Sequence, residues 1–146
     1  MKKLIIVVLI LFIISNIYAN DKEVSDTFYK VKRSLNTNNY SLLQPLLLKT
    51  NEAQRLVNQK LPSKNMFEKA AQKWFKKATG YLKINYTIKE IKIIDVIFVP
   101  KGIKAKKEIV GINAYIIFKN NKTSEKRKLM LFYILFDGKW KINFVK

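Results

Sequence analysis

The last twelve residues of the chain, 135–146, read LFDGKWKINFVK, and this stretch decides how the fold is interpreted. The Asp-Gly pair at 137–138 stands between two apolar runs, which is a strong hairpin signal. After it, Trp140, Ile142 and Phe144 alternate with lysine and asparagine, as in a strand that buries one face. Such a strand either packs into a core or presents a basic, aromatic surface that suits single-stranded nucleic acid. The core interpretation is favoured because alternation alone produces the same pattern.

Strand patterns also fill the residues before this hairpin. Residues 82–88 alternate between apolar and polar, and the phase slips by one residue at 90–91, which predicts a β-bulge. Residues 110–118 form the next alternating segment, and the Asn pair at 120–121 predicts a tight turn. Residues 129–136 are apolar on both faces, as in a central strand that is covered on both sides.

Helical spacing dominates the first half of the chain. Apolar residues at positions i, i+4, i+7 and i+11 predict two amphipathic helices. They are Val24, Phe28, Val31 and Leu35 in the first helix, and Phe67, Ala71, Trp74 and Ala78 in the second.

The ends of these helices carry their own signals. The first helix is predicted to begin at a capping box formed by Asn20 and Glu23 and to end within 36–39. The second is predicted to end at Gly80, acting as the C-cap. Between them, a short apolar helix over 42–48 and a turn capped by Thr50 are expected.

Helices followed by strands indicate an α+β fold, in which N-terminal helices pack on a curved, mostly antiparallel sheet of about four strands. Residues 109–144, and above all FDGKWKI at 136–142, resemble the nuclear-transport-factor-2-like superfamily (SnoaL-like, cystatin-like cone), especially its small secreted bacterial domains of unknown function. The resemblance implies a cone with a pocket at its open end. It places Trp140 and Ile142 in the core and Lys139 and Lys141 in water, and it implies a homodimer that forms through the sheet.

The start of the chain has the pattern of a signal peptide. Lys2 and Lys3 precede an uninterrupted apolar run over 4–14, and Ala19 stands where signal peptidase would cut. Cleavage between Ala19 and Asn20 would divide the chain into a signal peptide, 1–19, and one α+β domain, 20–146. The apolar run is shorter than the roughly 20 residues that cross a bilayer. We therefore expect an exported protein, periplasmic or secreted, that meets the membrane only through its signal peptide before cleavage.

The chain is strongly basic. Its net charge is +19, and +17 without Lys2 and Lys3. Such a surface attracts anions at low salt and suits a nucleic acid, lipid headgroups or a cell-wall polymer. The alternative explanation is genomic composition, because the 26 Lys, 19 Ile and 13 Asn all have A/T-rich codons. Only three Arg are present, although arginine is the residue that grips phosphate best. The sequence leaves open whether the basic loop 101–107 is functional or merely solvated.

The residue inventory excludes several classes of chemistry. The chain has neither His nor Cys, which removes Ser-His-Asp triads, cysteine nucleophiles and the usual zinc sites. Its four Gly form no phosphate-binding loop. We therefore expect no cofactor and no metal site.

The resemblance supplies candidate pocket residues, because some members of the superfamily are enzymes that transfer protons inside a hydrophobic cone. Such chemistry needs a carboxylate with a raised pKa and a donor for the developing oxyanion. The candidates for the pocket lining are Tyr29, Trp74, Asp95, Asn113 and Tyr115. Asp95 is the one acid inside an apolar run. The favoured interpretation is that it lies at a strand end or faces solvent, while the tyrosines pack in the core.

Three functions are consistent with these features. The first is an exported, non-catalytic binding or accessory module for a small apolar ligand or a protein partner. The second is a small proton-transfer enzyme, and the third is a basic protein that binds polyanions or the cell envelope. No residue matches a catalytic motif of the superfamily, so the non-catalytic module is favoured.

Overall fold

The computed structural model describes residues 21–145. The signal peptide predicted for 1–19, the cleavage site and the cap at Asn20 lie outside the described residues. Three α-helices and four strands follow one another: α1 (Asp21–Asn36), α2 (Thr50–Gln54), α3 (Met66–Lys83), β1 (Tyr86–Val99), β2 (Ile109–Asn120), β3 (Lys126–Phe136) and β4 (Lys139–Asn143). Two short 3-10 turns, Tyr40–Leu42 and Gln44–Leu46, lie between α1 and α2. The α+β fold with a curved antiparallel sheet is confirmed.

The four strands form one antiparallel meander in the order β1-β2-β3-β4. The register of β1 on β2 shifts between Ile88 and Glu90 and again between Ile93 and Asp95. The first shift is the bulge predicted from the phase slip. Each bulge bends the strand and increases its twist, so the two bulges together curve β1 and the sheet to which it belongs.

The hairpin between β3 and β4 turns at the predicted position. Asp137 and Gly138 both have positive φ, 48° and 76°. Positive φ at both central residues is the requirement of a type I′ turn, whose twist matches that of the flanking strands. The Asp-Gly pair therefore fixes the register that places Trp140 opposite Leu135.

The core lies between the sheet and the helices α1 and α3. The face of the sheet that these helices cover is called the inner face below. Side chains buried in this core are Val31 and Leu35 of α1, Ala71, Phe75 and Ala78 of α3, Ile112, Ala114, Ile116 and Phe118 of β2, Leu129, Leu131 and Tyr133 of β3, and Trp140 and Ile142 of β4. The prediction that Trp140 and Ile142 belong to the core is confirmed. Lys139 is exposed as expected, but Lys141 is half-buried, and its Nζ lies 3.3 Å from the Pro45 carbonyl.

A second, smaller cluster covers one end of the opposite face of the sheet. It consists of Leu48, Ala53, Leu56, Phe67 and Phe136, with Ile109 and Ile134 packed against them. Strand alternation places Ile109, Ile134 and Phe136 on the face opposite the main core, called the outer face below. The segment that contains α2 therefore wraps past β4 to reach this face.

Four local predictions differ from the structure. The N-cap of α2 is Lys49, so Thr50 lies inside this helix instead of capping it. Helix α3 continues past Gly80 to Lys83 because Tyr81 packs its ring 5.2 Å from that of Phe118. The short helix expected over 42–48 is instead two 3-10 turns. Its last residues are drawn into strand pairing, since the Leu48 amide donates to the Ile142 carbonyl at 2.9 Å.

The turn expected at 120–121 is a longer loop. The Asn120 side chain accepts hydrogen bonds from the amides of Lys122 and Thr123, at 2.8 and 3.0 Å, and Ser124 has the positive φ of 61°. The Asn120 amide pairs with the Glu125 carbonyl at 2.8 Å, which closes this loop before β3 begins.

The helical position of Gly80 gives a stability prediction. A Cβ at this position would meet no atom within 4 Å. Because alanine loses less backbone entropy than glycine on entering a helix, Gly80→Ala should raise the free energy of unfolding by about 0.5–1 kcal/mol. Urea denaturation followed by circular dichroism measures this change.

Gly138→Ala is the matched control. The backbone φ of +76° at Gly138 is unfavourable for alanine, so this substitution should lower the free energy of unfolding by about 1 kcal/mol. Equal effects of the two substitutions would contradict the helical assignment of Gly80.

Candidate binding surfaces

Three of the five predicted pocket residues meet on the outer face of the sheet. Asp95 of β1 lies directly opposite Asn113 of β2, and Tyr115 lies two residues further along β2. Asp95 is exposed, whereas the Asn113 side-chain oxygen is buried and has no hydrogen-bond partner among the described residues. The Lys128 ammonium lies 5.7 Å from the centre of the Tyr115 ring. These residues share one face, but Asp95 has water around it rather than an apolar cavity.

The other two predicted residues lie elsewhere. Tyr29 is 66% exposed on the solvent side of α1. Trp74 of α3 is half-buried, and its indole N–H donates to the Met130 carbonyl at 3.0 Å. β4 pairs with β3 only over residues 132–136 of β3, so the Met130 carbonyl has no partner in β4 and accepts from Trp74 instead. The centre of the Trp74 ring lies 4.6 Å from that of the Phe144 ring. Trp74 therefore supports the fold, and ligand binding by the five residues stays a prediction.

Two polar atoms are buried in the main core without a partner among the described residues. They are the Tyr133 hydroxyl and the Trp140 indole N–H, on diagonal neighbours of the β3–β4 hairpin. Burial raises the pKa of Tyr133 because the charged phenolate would lose its hydration. Trp140 also lines a cleft of ≈ 350 Å³ between α1 and β4, together with Glu23, Asp26 and Lys30.

A cleft of ≈ 360 Å³ separates the 3-10 turns from α3, and Tyr40, Gln44, Gln72 and Glu68 are among the residues that line it. Thr50 contacts Glu68 from α2. Its hydroxyl donates to a Glu68 carboxylate oxygen at 2.7 Å and accepts from the Phe67 amide at 3.1 Å, so a residue distant in sequence caps the first turn of α3.

Ionisation of Glu68 and Tyr40 reflects this geometry. Burial alone would raise the pKa of Glu68, but hydrogen bonds from the Thr50 side chain and from backbone amides outweigh it and lower that pKa below 4.5. Burial, assisted by the charge of Glu68, raises the pKa of Tyr40. The cleft thus holds a carboxylate beside a neutral phenol, and that carboxylate already accepts hydrogen bonds from Thr50 of α2.

The Thr50 contacts predict a pH-dependent loss of stability. The folded-state pKa of Glu68 is depressed, so its stabilising contribution is present above the unfolded value and disappears as the pH falls through the folded pKa. Thr50→Val removes both hydrogen bonds and leaves the buried Phe67 amide unpaired. It should lower the free energy of unfolding by about 1–3 kcal/mol at pH 7 and flatten the stability profile below pH 4.5.

Thr37→Val serves as the comparison. Its hydroxyl bonds only to the last turn of α1 and is exposed, so the change should stay within about 0.5 kcal/mol. A Thr50→Val variant with the wild-type stability and pH profile would show that the capping contact contributes nothing.

An apolar strip lies along the second half of β1. Ile93, Ile94, Val96 and Phe98 are between 43% and 47% exposed, and we call them the β1 strip. Ile93 and Val96 lie opposite the buried Ala114 and Ile112, so the strip extends the inner face beyond the cover of α3. β1 is also the first strand of the sheet and has a neighbour on one side only. The apolar character of this run is visible in the sequence, but its place at the edge of the sheet depends on strand order.

Within 21–145, no helix is long and apolar enough to span a bilayer. In the same residues, no group of three or more acidic side chains is placed to hold a metal ion. No protein family, curated protein or solved structure matches this chain.

Proposed function

We propose that this chain is an exported, non-catalytic binding module that contacts a protein partner through the β1 strip. The single observation that carries the proposal is the half-exposure of four large apolar side chains along one strand. Contiguous exposed apolar surface commonly marks an interaction site. Export is proposed from the signal-peptide pattern of residues 2–19 alone.

The shape of the strip favours a macromolecule over a small ligand. Small-molecule sites are concave and bury most of the ligand surface. The β1 strip instead exposes nearly half of each side chain along an edge strand, so it is an open surface and not a concave pocket. A flat protein surface can cover such a surface, whereas a small apolar molecule bound there would keep much of its own surface in water.

Charge favours a second copy of the chain as that partner. β1 carries Lys89 and Lys92 against Glu90 and Asp95, so it is electrically neutral in a chain that is otherwise strongly basic. Two copies repel each other through most of their surfaces, and that repulsion is smallest where β1 meets β1.

The bulge makes this contact self-complementary. Because Ile94 is the extra residue of a bulge, Lys92 and Asp95 occupy the sheet positions on either side of Ile93. In an antiparallel contact centred on Ile93, Lys92 therefore lies opposite Asp95 of the second copy, and apolar side chains meet on the inner face. Such two-fold contacts, in which the same patch serves both copies, are the commonest in homo-oligomers.

Sedimentation velocity of the processed chain, 20–146, tests this contact. We expect a concentration-dependent dimer at physiological salt. Val96→Asp places an unpaired charge at the centre of the apolar contact and should weaken dimerisation by at least about tenfold in dissociation constant. Leu42→Asn, which alters an exposed leucine on a 3-10 turn, should leave the dimer unchanged.

A protein that stays monomeric at high micromolar concentration would overturn the second-copy contact. Equal weakening by Val96→Asp and Leu42→Asn would show that association does not depend on the β1 strip.

A further inference from the structure

The loop after β1 presents one aliphatic side chain entirely to solvent. Ile103 is 96% exposed, the highest value among the large apolar residues of the described chain. It lies within residues 101–107, KGIKAKK, which contain four lysines and no acid. An exposed aliphatic side chain flanked by lysines is complementary to a partner that is both anionic and apolar.

This loop is held in place rather than left loose. The Asn58 side chain donates to the carbonyls of Gly102 and Ile103, at 2.7 and 2.9 Å, and the Asn58 amide donates to the Lys104 carbonyl at 3.2 Å. The Gly102 amide donates to the Ala105 carbonyl at 2.9 Å and closes the turn, while Ala105 itself is buried. The backbone is therefore ordered, and Ile103 is held outward by contacts beneath it.

The four lysines of the loop are not equivalent. Lys106 donates to the Gln54 carbonyl at 3.0 Å, and Lys107 lies 3.4 Å from the Asp137 carboxylate, which also contacts Arg55. Lys101 and Lys104 are exposed on either side of Ile103. The tip of the loop therefore combines one apolar side chain with two flanking ammonium groups.

We propose that this tip, the Ile103 turn (101–107), docks the protein on an anionic lipid bilayer. Ile103 enters the apolar part of the headgroup region, and Lys101 and Lys104 lie among the lipid phosphates. Lysines attract a negatively charged membrane surface, and an apolar side chain gains free energy on leaving water at the interface. A soluble polyanion would use the lysines but would give Ile103 no apolar environment, so the contribution of Ile103 separates the two partners.

The proposal does not depend on the β1 strip, because none of the four residues of the strip belongs to the Ile103 turn. A variant that breaks the dimer, such as Val96→Asp, should keep the intrinsic affinity of the Ile103 turn for a membrane. Likewise, substitutions in the Ile103 turn should leave dimerisation unchanged. Failure of one proposal therefore does not imply failure of the other.

The test is co-sedimentation of the processed chain with vesicles of phosphatidylcholine containing one third phosphatidylglycerol, at physiological salt. Wild-type protein should bind these vesicles and should not bind vesicles of pure phosphatidylcholine. Ile103→Asn should lower the partition coefficient about tenfold or more, because the buried aliphatic side chain is lost. Ile84→Asn changes an isoleucine that is 53% exposed near the end of α3 and should have no effect.

Two double variants that have the same net charge as each other test whether Lys101 and Lys104 contribute more to binding than other exposed lysines. Replacing Lys101 and Lys104 with Gln should weaken binding to the anionic vesicles about 25-fold, at roughly fivefold per lysine. Replacing Lys73 and Lys77 with Gln, on the exposed side of α3, removes the same charge and should weaken binding much less. Asn58→Ala leaves every charge and Ile103 in place but removes the side-chain hydrogen bonds to the Gly102 and Ile103 carbonyls. Because these bonds hold the turn, this substitution should also reduce binding.

Three results would overturn the proposal. They are absence of wild-type binding to the anionic vesicles, equal binding by Ile103→Asn and the wild type, and equal loss in the two lysine double variants. The last two results would assign any binding to the overall positive charge of the protein.

Discussion

Burial of the inner faces of β2 and β3 is the constraint on which the rest of the structure depends. Ala114 lies in the middle of this surface and is completely buried, and α3 contributes Ala71 and Ala78 to the same core. Small side chains let a helix approach a sheet closely, so the larger neighbours fill the remaining space. The Asp-Gly hairpin adds Trp140 to the same face. Helix positions follow from keeping this one surface away from water, while the Asp-Gly turn sets the hairpin register and the bulges curve β1.

The same arrangement explains why one part of the inner face stays open. Helix α3 ends at Lys83, beside the start of β1, and it covers Tyr86 but not the strip that begins at Ile93. Bulges in β1 interrupt the regular pattern of backbone donors and acceptors along its edge, which disfavours extended strand-to-strand pairing. In the proposed dimer, side chains rather than backbone hydrogen bonds would make most of the contact, and a two-fold contact of this kind closes on itself instead of growing into fibres.

Local signals in the sequence predicted the features that depend on neighbouring residues. The hairpin turn, the amphipathic α1 and α3 and the bulge after Ile88 are of this kind, since each depends on side-chain chemistry within a few positions. Features that depend on distant contacts could not be predicted. Thr50 caps α3 by accepting a hydrogen bond from the Phe67 amide, seventeen positions away, and the Asn58 side chain donates to carbonyls more than forty positions away. The exposure of the β1 strip depends on strand order, and Gly80 stays helical because Tyr81 packs on Phe118.

We propose that the β1 strip is a contact surface between two copies of the chain. Hydrogen–deuterium exchange of the processed chain, compared at low and high protein concentration, tests it most directly because exchange reports protection segment by segment. If the strip forms this contact, amides within 91–99 should become slower to exchange as concentration rises, while α1 and β3, already buried in the monomer, should not change. Exchange in 91–99 that is independent of concentration, or protection that appears on another surface, would contradict the claim.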